Sequence, residues 1–150
     1  MSSLQDLYQD IVIDHNSRPR NFRKPQGATR SVEGYNPLCG DRYTLHVQVD
    51  GDLVCDIGFE GSGCAISKAS TSMMTEAVKG RPKGHAADLF DSFQRMLVRP
   101  PGAEFDPDEV GDLEALSGVN EYPARVKCAI LSWHTLRAAL DGGVDSVTTE

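Results

Sequence analysis

The sequence predicts a single α+β domain, in which a small antiparallel sheet of about three strands packs against helices. Three observations carry this. Apolar residues recur at helical spacing near the N-terminus, alternate with period two from about Thr29 to Glu60, and return to helical spacing from Cys64 onward. Strands come first and helices after, and no repeat or second apolar core divides the 150 residues.

In the first segment, Leu4, Leu7, Tyr8, Ile11 and Val12 make one stripe of a helix over 3–16, with Ser3 and Asp6 as a capping box. The prolines and glycine of SRPRN and RKPQG end it near Asn16. In the period-two segment, Tyr43, Leu45, Val47 and Val49 point one way, and His46 and Gln48 point to the exposed face. Asp50-Gly51-Asp52 is a hairpin signal, and the return strand puts Leu53, Cys55, Ile57 and Phe59 on the covered side. Residues 64–79 read as a helix through Ile66, Ala69, Met73 and Ala77, stopped by Gly80 and Pro82. A third helix covers 84–97, with Leu89, Phe90, Phe93, Met96 and Leu97 inward. RPPGAEFDPDEVGD reads as a loop with room for a short helix reaching Leu116. The last helix starts at Pro123 and carries Val126, Ala129, Ile130, Trp133, Arg137 and Leu140 along one side. Residues 142–150 lack a packing pattern and are expected to be a disordered tail, which leaves 1–141 as the domain.

A hydrophobic content of 39% supports a core, and a net charge of −7 speaks against a nucleic-acid partner, which needs a basic surface. No apolar run reaches the roughly 20 residues that span a bilayer, so no membrane role is expected. The opening MSSLQDLYQD has neither the basic nor the apolar region of a signal peptide, and the expected location is cytoplasmic. Thiols stay reduced there, so the four cysteines read as ligands, nucleophiles or core residues rather than disulfides.

Cys55 shares strand phase with Leu53, Ile57 and Phe59 and reads as a small buried hydrophobe. The other three differ. Cys39 lies in a turn-like stretch with Asp41 two residues on, a spacing that puts both side chains on one face of an extended chain. Cys64 follows Gly61-Ser62-Gly63 and opens a helix, where free N–H groups and the helix dipole favour a thiolate. Cys128 sits on a flank of the last helix, with Arg125 and Lys127 close by to offset negative charge. Three thiolates and a carboxylate suit a tetrahedral Zn²⁺ site, yet three unrelated buried thiols satisfy the same spacing. His15, His46, His85 and His134 read as surface or capping residues.

The string Tyr35-Asn36-Pro37-Leu38-Cys39-Gly40-Asp41, then Gly61-Ser62-Gly63-Cys64-Ala65-Ile66-Ser67, then Ala124-Arg125-Val126-Lys127-Cys128, resembles the U-type iron–sulfur assembly proteins. Ile13-Asp14-His15 through Arg18-Pro19-Arg20-Asn21 resembles that family's N-terminal motif, and the likeness runs from about Leu7 to Leu140. IscU-type scaffolds have a histidine before the third cysteine, where this chain has Lys127. They also have a Leu-Pro-Pro-Val-Lys docking segment, which Tyr122-Pro123-Ala124-Arg125-Val126-Lys127 matches only in part. They place the second cysteine between two glycines and lack an insertion such as the one at about 99–119. These departures resemble the SufU branch.

That resemblance implies a zinc-dependent sulfur acceptor (a sulfurtransferase), with Cys39, Asp41, Cys64 and Cys128 as zinc ligands. It implies a SufS-type, pyridoxal-phosphate cysteine desulfurase as partner, whose persulfide is attacked by Cys39 after a histidine of that partner takes its place on the metal. Arg125 would compensate charge, and the sulfur would pass to a downstream iron–sulfur scaffold or apo-protein. Two rivals use the same ligands: a scaffold carrying a [2Fe–2S] cluster, with iron in place of zinc, and a structural zinc domain. Glycines beside the candidate ligands suit exchange better than a closed structural site.

Overall fold

The computed structural model describes residues 4–148, with side chains from Leu7 onward. Helix α1 (Leu4–Ser17) leads into β1 (Arg30–Asn36), β2 (Asp41–Asp50) and β3 (Leu53–Ser62). Helix α2 (Ala65–Val78), the two-residue strand β4 (Arg81–Pro82) and α3 (Lys83–Val98) follow. A short α4 (Pro107–Val110), a 3-10 helix over Gly111–Glu121, α5 (Pro123–Asp141) and β5 (Ser146–Thr148) complete the chain. The sheet runs β4-β3-β2-β1-β5. The α+β class therefore stands, on a sheet of five strands rather than about three, because two very short strands extend the central antiparallel three. The capping box of Ser3 and Asp6 and the side chain of Leu4 lie outside what is described.

Period two in β2 buries Tyr43, Leu45 and Val47 against the helices. Helix α5 crosses that face. Its fully buried Trp133 stacks on Phe93 of α3 at 4.9 Å and donates through Nε1 to Ser70 Oγ of α2 at 3.2 Å. Helix α2 is buried nearly all round, including Ser67, Ser70, Thr71, Ser72 and Thr75. Four of these hydroxyls, all but that of Ser67, avoid the cost of unpaired burial by bonding within the helix or to neighbours, as Thr71 does to Ser67 O and Thr75 to Ser72 O, both at 2.8 Å. The loop after α1 covers the open edge of β3, where Phe59 N donates to Asn21 O at 3.0 Å. Gly58 makes this possible: a Cβ there would strike the Arg23 carbonyl oxygen.

Several sequence expectations are corrected. Cys55 leaves the covered face, because the β2–β3 register shifts between Gln48 and Val49: Gln48 pairs with Asp56, Val49 with Val54, and Cys55 with neither. The bulge buries Val54 in its place, leaves Cys55 half-buried and exposes Leu53. Leu7 is 52% exposed, and the inward stripe of α1 runs through Tyr8, Ile11, Val12 and His15. His46 is buried rather than exposed, held between Ser31 Oγ at 2.6 Å and Glu60 Oε1 at 2.8 Å from the flanking strands. His15 is buried too, its Nδ1 2.8 Å from Ser72 Oγ. His134 is half-buried and packs edge-on against Phe90. The expected disordered tail instead supplies β5, which pairs in parallel with β1 from Glu33↔Ser146 to Tyr35↔Thr148. Among the described residues, no helix is long and apolar enough to cross a membrane.

Two predictions follow from this packing. Gly58→Ala, pressed against backbone, is expected to cost about 1–3 kcal/mol, whereas Cys55→Ala at the bulge costs less than about 1 kcal/mol, both read by denaturant midpoints. Burial lowers the pKa of His15 and of His134 below the ordinary 6.5. The unfolded chain then takes up protons before the folded one, so stability falls as pH drops below about 6.5. A melting temperature unchanged between pH 7 and 5 would show that these rings protonate freely within the fold.

Candidate metal centre

Four chain segments meet at one end of the sheet. Between β1 and β2 a tight turn is closed by Gly40 N donating to Asn36 O at 2.9 Å, with Gly40 at φ 72°. The Asn36 side chain accepts from Leu38 N at 3.2 Å, which sets Cys39 at the exposed tip of the turn. Asp41 then opens β2 with no exposure to solvent. Across from it, Cys64 caps the N-terminus of α2. Its sulfur accepts from Ser67 N at 3.4 Å, and its own N–H donates to Asp41 Oδ1 at 2.7 Å. Gly63 leaves room for that carboxylate, since a Cβ there would stand 2.6 Å from Asp41 Oδ1 and from the Tyr43 hydroxyl.

The first turns of α5 bring the third thiol. Cys128 is buried, its Sγ 3.1 Å from Cys39 Sγ and 3.6 Å from Asn36 Nδ2. One donor atom from each of Cys39, Asp41 and Cys128 lies within 4.8 Å of the others. Cys64 Sγ stands 3.9 Å from Asp41 Oδ2, beside that trio. Burial pushes the Cys128 thiol up, reinforced by its contact with Cys39 and by the negative charge of Cys64 and Asp41. Arg125 is exposed above the cluster. Contact with Cys128, then the negative charge at Cys64, Cys128 and Cys39, holds its guanidinium above its ordinary pKa.

This donor set fits a soft dication. Asp41 is a wholly buried carboxylate that enters none of the ion pairs among the described residues. Beside it the buried hydroxyls of Tyr43 and Ser67 have no hydrogen-bond partner among the described residues. Three thiols around such a carboxylate would repel one another once ionised, and a cation relieves this. All four sequence-nominated ligands and Arg125 thus gather at one place. Asn36, which contacts both the Cys39 turn and the Cys128 sulfur, was not singled out. Its only sequence signal is an Asn three residues before a cysteine in a turn.

The sequence profile of the NifU-like N-terminal domain matches residues 7–129. The chain belongs to the NifU-like N-terminal domain family. This NifU-like chain is 44% identical over 136 residues to a zinc-dependent sulfurtransferase SufU of Bacillus subtilis, covering 90% of each chain. It is 42% identical over 141 residues to an iron–sulfur cluster assembly scaffold protein IscU of Streptococcus pyogenes, covering 93% of this chain and 86% of the relative. Among solved structures, one of an iron–sulfur cluster assembly scaffold protein for the SUF system from Fervidobacterium islandicum superposes with a TM-score of 0.81. That protein is 37% identical, with 92% of this chain and 99% of the other covered. A NifU-like protein of Brucella abortus, 20% identical with 93% and 96% covered, shares the fold at a TM-score of 0.80.

If Gly63 is the space that Asp41 needs, Gly63→Ala displaces the carboxylate. Zinc competition against a chromogenic chelator should then show affinity lower by roughly tenfold or more, while the melting temperature moves only a few degrees. Unchanged affinity would remove Asp41 from the donor set.

Proposed function

We propose that this NifU-like domain is a zinc-dependent sulfur acceptor in iron–sulfur cluster assembly. In this reading Cys39, Asp41, Cys64 and Cys128 hold the metal, and Cys39 takes sulfur from the persulfide of a SufS-type cysteine desulfurase. The observation that carries it is an asymmetry: Cys39 is exposed at a turn tip, while its 3.1 Å neighbour Cys128 is buried. Only the first can meet a sulfur held by another protein. The Bacillus subtilis relative, named as a zinc-dependent sulfurtransferase, supports the same reading.

Bound Zn²⁺ would supply charge that keeps the surrounding thiols ionised at neutral pH. The chain's own residues do the rest. The Asn36-capped turn presents the Cys39 thiolate outward. Its sulfur attacks the outer sulfur of the donor persulfide, the donor S–S bond breaks, and the desulfurase cysteine leaves as a thiolate. One S–S bond forms as one breaks, so no outside oxidant is needed. A thiol reductant, or a downstream iron–sulfur scaffold or apo-protein, then removes the sulfur from Cys39. Arg125 offsets the added negative charge of the persulfide at the mouth of the site.

Scaffold relatives give the second reading, in which the same thiols carry a [2Fe–2S] cluster. Metal and acid-labile sulfide, measured on protein purified without oxygen, decide between them. The proposal expects about one zinc per chain and no sulfide. Iron with sulfide and visible charge-transfer absorption would put the scaffold in its place. With a SufS-type enzyme, cysteine and a reductant, wild type should raise sulfide output. Cys39→Ser should abolish the increase, and Arg125→Ala should slow it several-fold while zinc is retained. Full stimulation by Cys39→Ser would mean that the sulfur lands on Cys64 or Cys128.

A further inference from the structure

Seven of the 22 acids lie between Pro100 and Ala124, a stretch without Lys or Arg, so the remaining chain is balanced at 15 acids against 15 bases. The whole net charge therefore belongs to one segment. Where α4 and the start of the 3-10 helix meet α1, α2 and α3, this segment walls a cleft of about 320 Å³. Met73, Leu89 and Leu113 line it with apolar surface, and Glu76, Asp108 and Asp112 with carboxylates. Glu76 stands 3.8 Å from Arg20, and Glu109 is held by Arg95 at 3.2 Å. Asp108 and Asp112 are exposed and enter none of the ion pairs among the described residues.

A second observation concerns His15, which lines the same cleft and is 6% exposed. Ser72 Oγ accepts the Arg20 N–H at 2.8 Å and also engages His15 Nδ1 at 2.8 Å, a pairing that either ring tautomer satisfies. Burial lowers the pKa of the ring, and Nε2 is the nitrogen that Ser72 does not engage. That nitrogen has no partner among the described residues. The cleft thus offers a free imidazole nitrogen, an apolar floor and unpaired carboxylates. A metal ion answers the carboxylates alone: among the described residues, His and acid groups converge within 4.8 Å only at Cys39, Asp41 and Cys128. A peptide with a basic side chain answers all three: a backbone amide, which both donates and accepts, for the ring nitrogen, methylenes for the floor and a cation for the rim.

We propose that this cleft is a docking site for a Lys- or Arg-bearing segment of a partner protein. The site is independent of the thiol centre. Met73 lies nine residues beyond Cys64 on α2, about 13 Å along the helix axis at 1.5 Å per residue, and the cleft shares no residue with the donor set. A partner held here leaves Cys39 free.

The test uses the full chain, ¹⁵N-labelled, titrated with an acetylated and amidated Arg-Ala-Arg peptide, with Glu-Ala-Glu and spermidine as controls. Saturable amide shifts are expected within 73–77, 85–89 and 108–113, with the His15 ring signals moving in step. Asp108→Asn with Asp112→Asn, both on exposed side chains, should weaken binding about tenfold at an unchanged melting temperature. Three results would overturn the proposal: no saturable shift, equal shifts with spermidine, or undiminished binding to the double variant. None depends on whether the thiol centre holds zinc or a cluster.

Discussion

A carboxylate with no access to solvent costs several kcal/mol unless the fold gives it donors or a cation, and Asp41 is such a group. Its answer within the chain is the Cys64 N–H at 2.7 Å, one of the free donors at the start of α2, aimed along a helix dipole that favours negative charge. That one bond joins the first residue of β2 to the cap of α2 across 23 positions of sequence. Around it the chain gives way: Gly63 omits the Cβ that would strike the carboxylate, and Gly61, at φ 133°, adopts a backbone that side chains avoid. Two cysteine motifs far apart in sequence are thereby set at a fixed separation before any metal is considered.

The third thiol arrives by a different route. Cys128 is placed by how α5 lies on the sheet and on α2, through Trp133 against Phe93 and its N–H to Ser70, and through Ser70 Oγ donating to Ala129 O at 2.5 Å. The residue after Cys128 is thus tied directly to the helix that Cys64 caps. Close packing makes the position of Cys128 stiff, whereas Cys39 hangs on a four-residue turn with solvent on its outer side. The centre therefore has one adaptable thiol and one rigid, buried thiol in contact. In the proposed sulfur transfer, such a pair would let one sulfur exchange its partner while the other candidate donors keep their places.

How much of this was legible in the sequence depends on the range of the interaction. Period-two alternation located Tyr43, Leu45 and Val47 correctly, and the glycines before Cys64 marked the start of α2, because these are contacts within a few residues. The bulge that turns Cys55 out of the core is a property of how β2 pairs with β3, and nothing within Leu53–Phe59 announces it. The tail shows the same limit. Ser146–Thr148 offers one apolar side chain, the half-buried Val147, too little to show a pattern, and it becomes a strand because β1 has a free edge at Glu33–Tyr35. His46 looked exposed because it alternates with core residues, and the Ser31 and Glu60 side chains that cover it come from two other strands. Nomination of the four candidate ligands rests on resemblance of motifs; spacing alone leaves the cysteines compatible with unrelated buried thiols.

Helix α2 carries these effects from one end of the molecule to the other. Its N-terminus caps on Cys64, and its far half presents Ser72 to His15 and Arg20, and Thr75 to Asn21 at 3.0 Å. A helix buried on nearly every side would ordinarily be apolar, yet this one is rich in Ser and Thr. Small hydroxyl residues let α1, α5 and the sheet approach closely, and each bonded hydroxyl fixes a neighbour in orientation as well as in distance. An apolar α2 would pack equally well but would leave α1 free to slide, since apolar contacts are not directional. The polar interior thus holds the thiol end and the acidic end in one rigid frame. In the docking and sulfur transfer proposed above, a partner gripping the acidic cleft would be held at a set distance from Cys39, which would raise the local concentration of any sulfur it carries there.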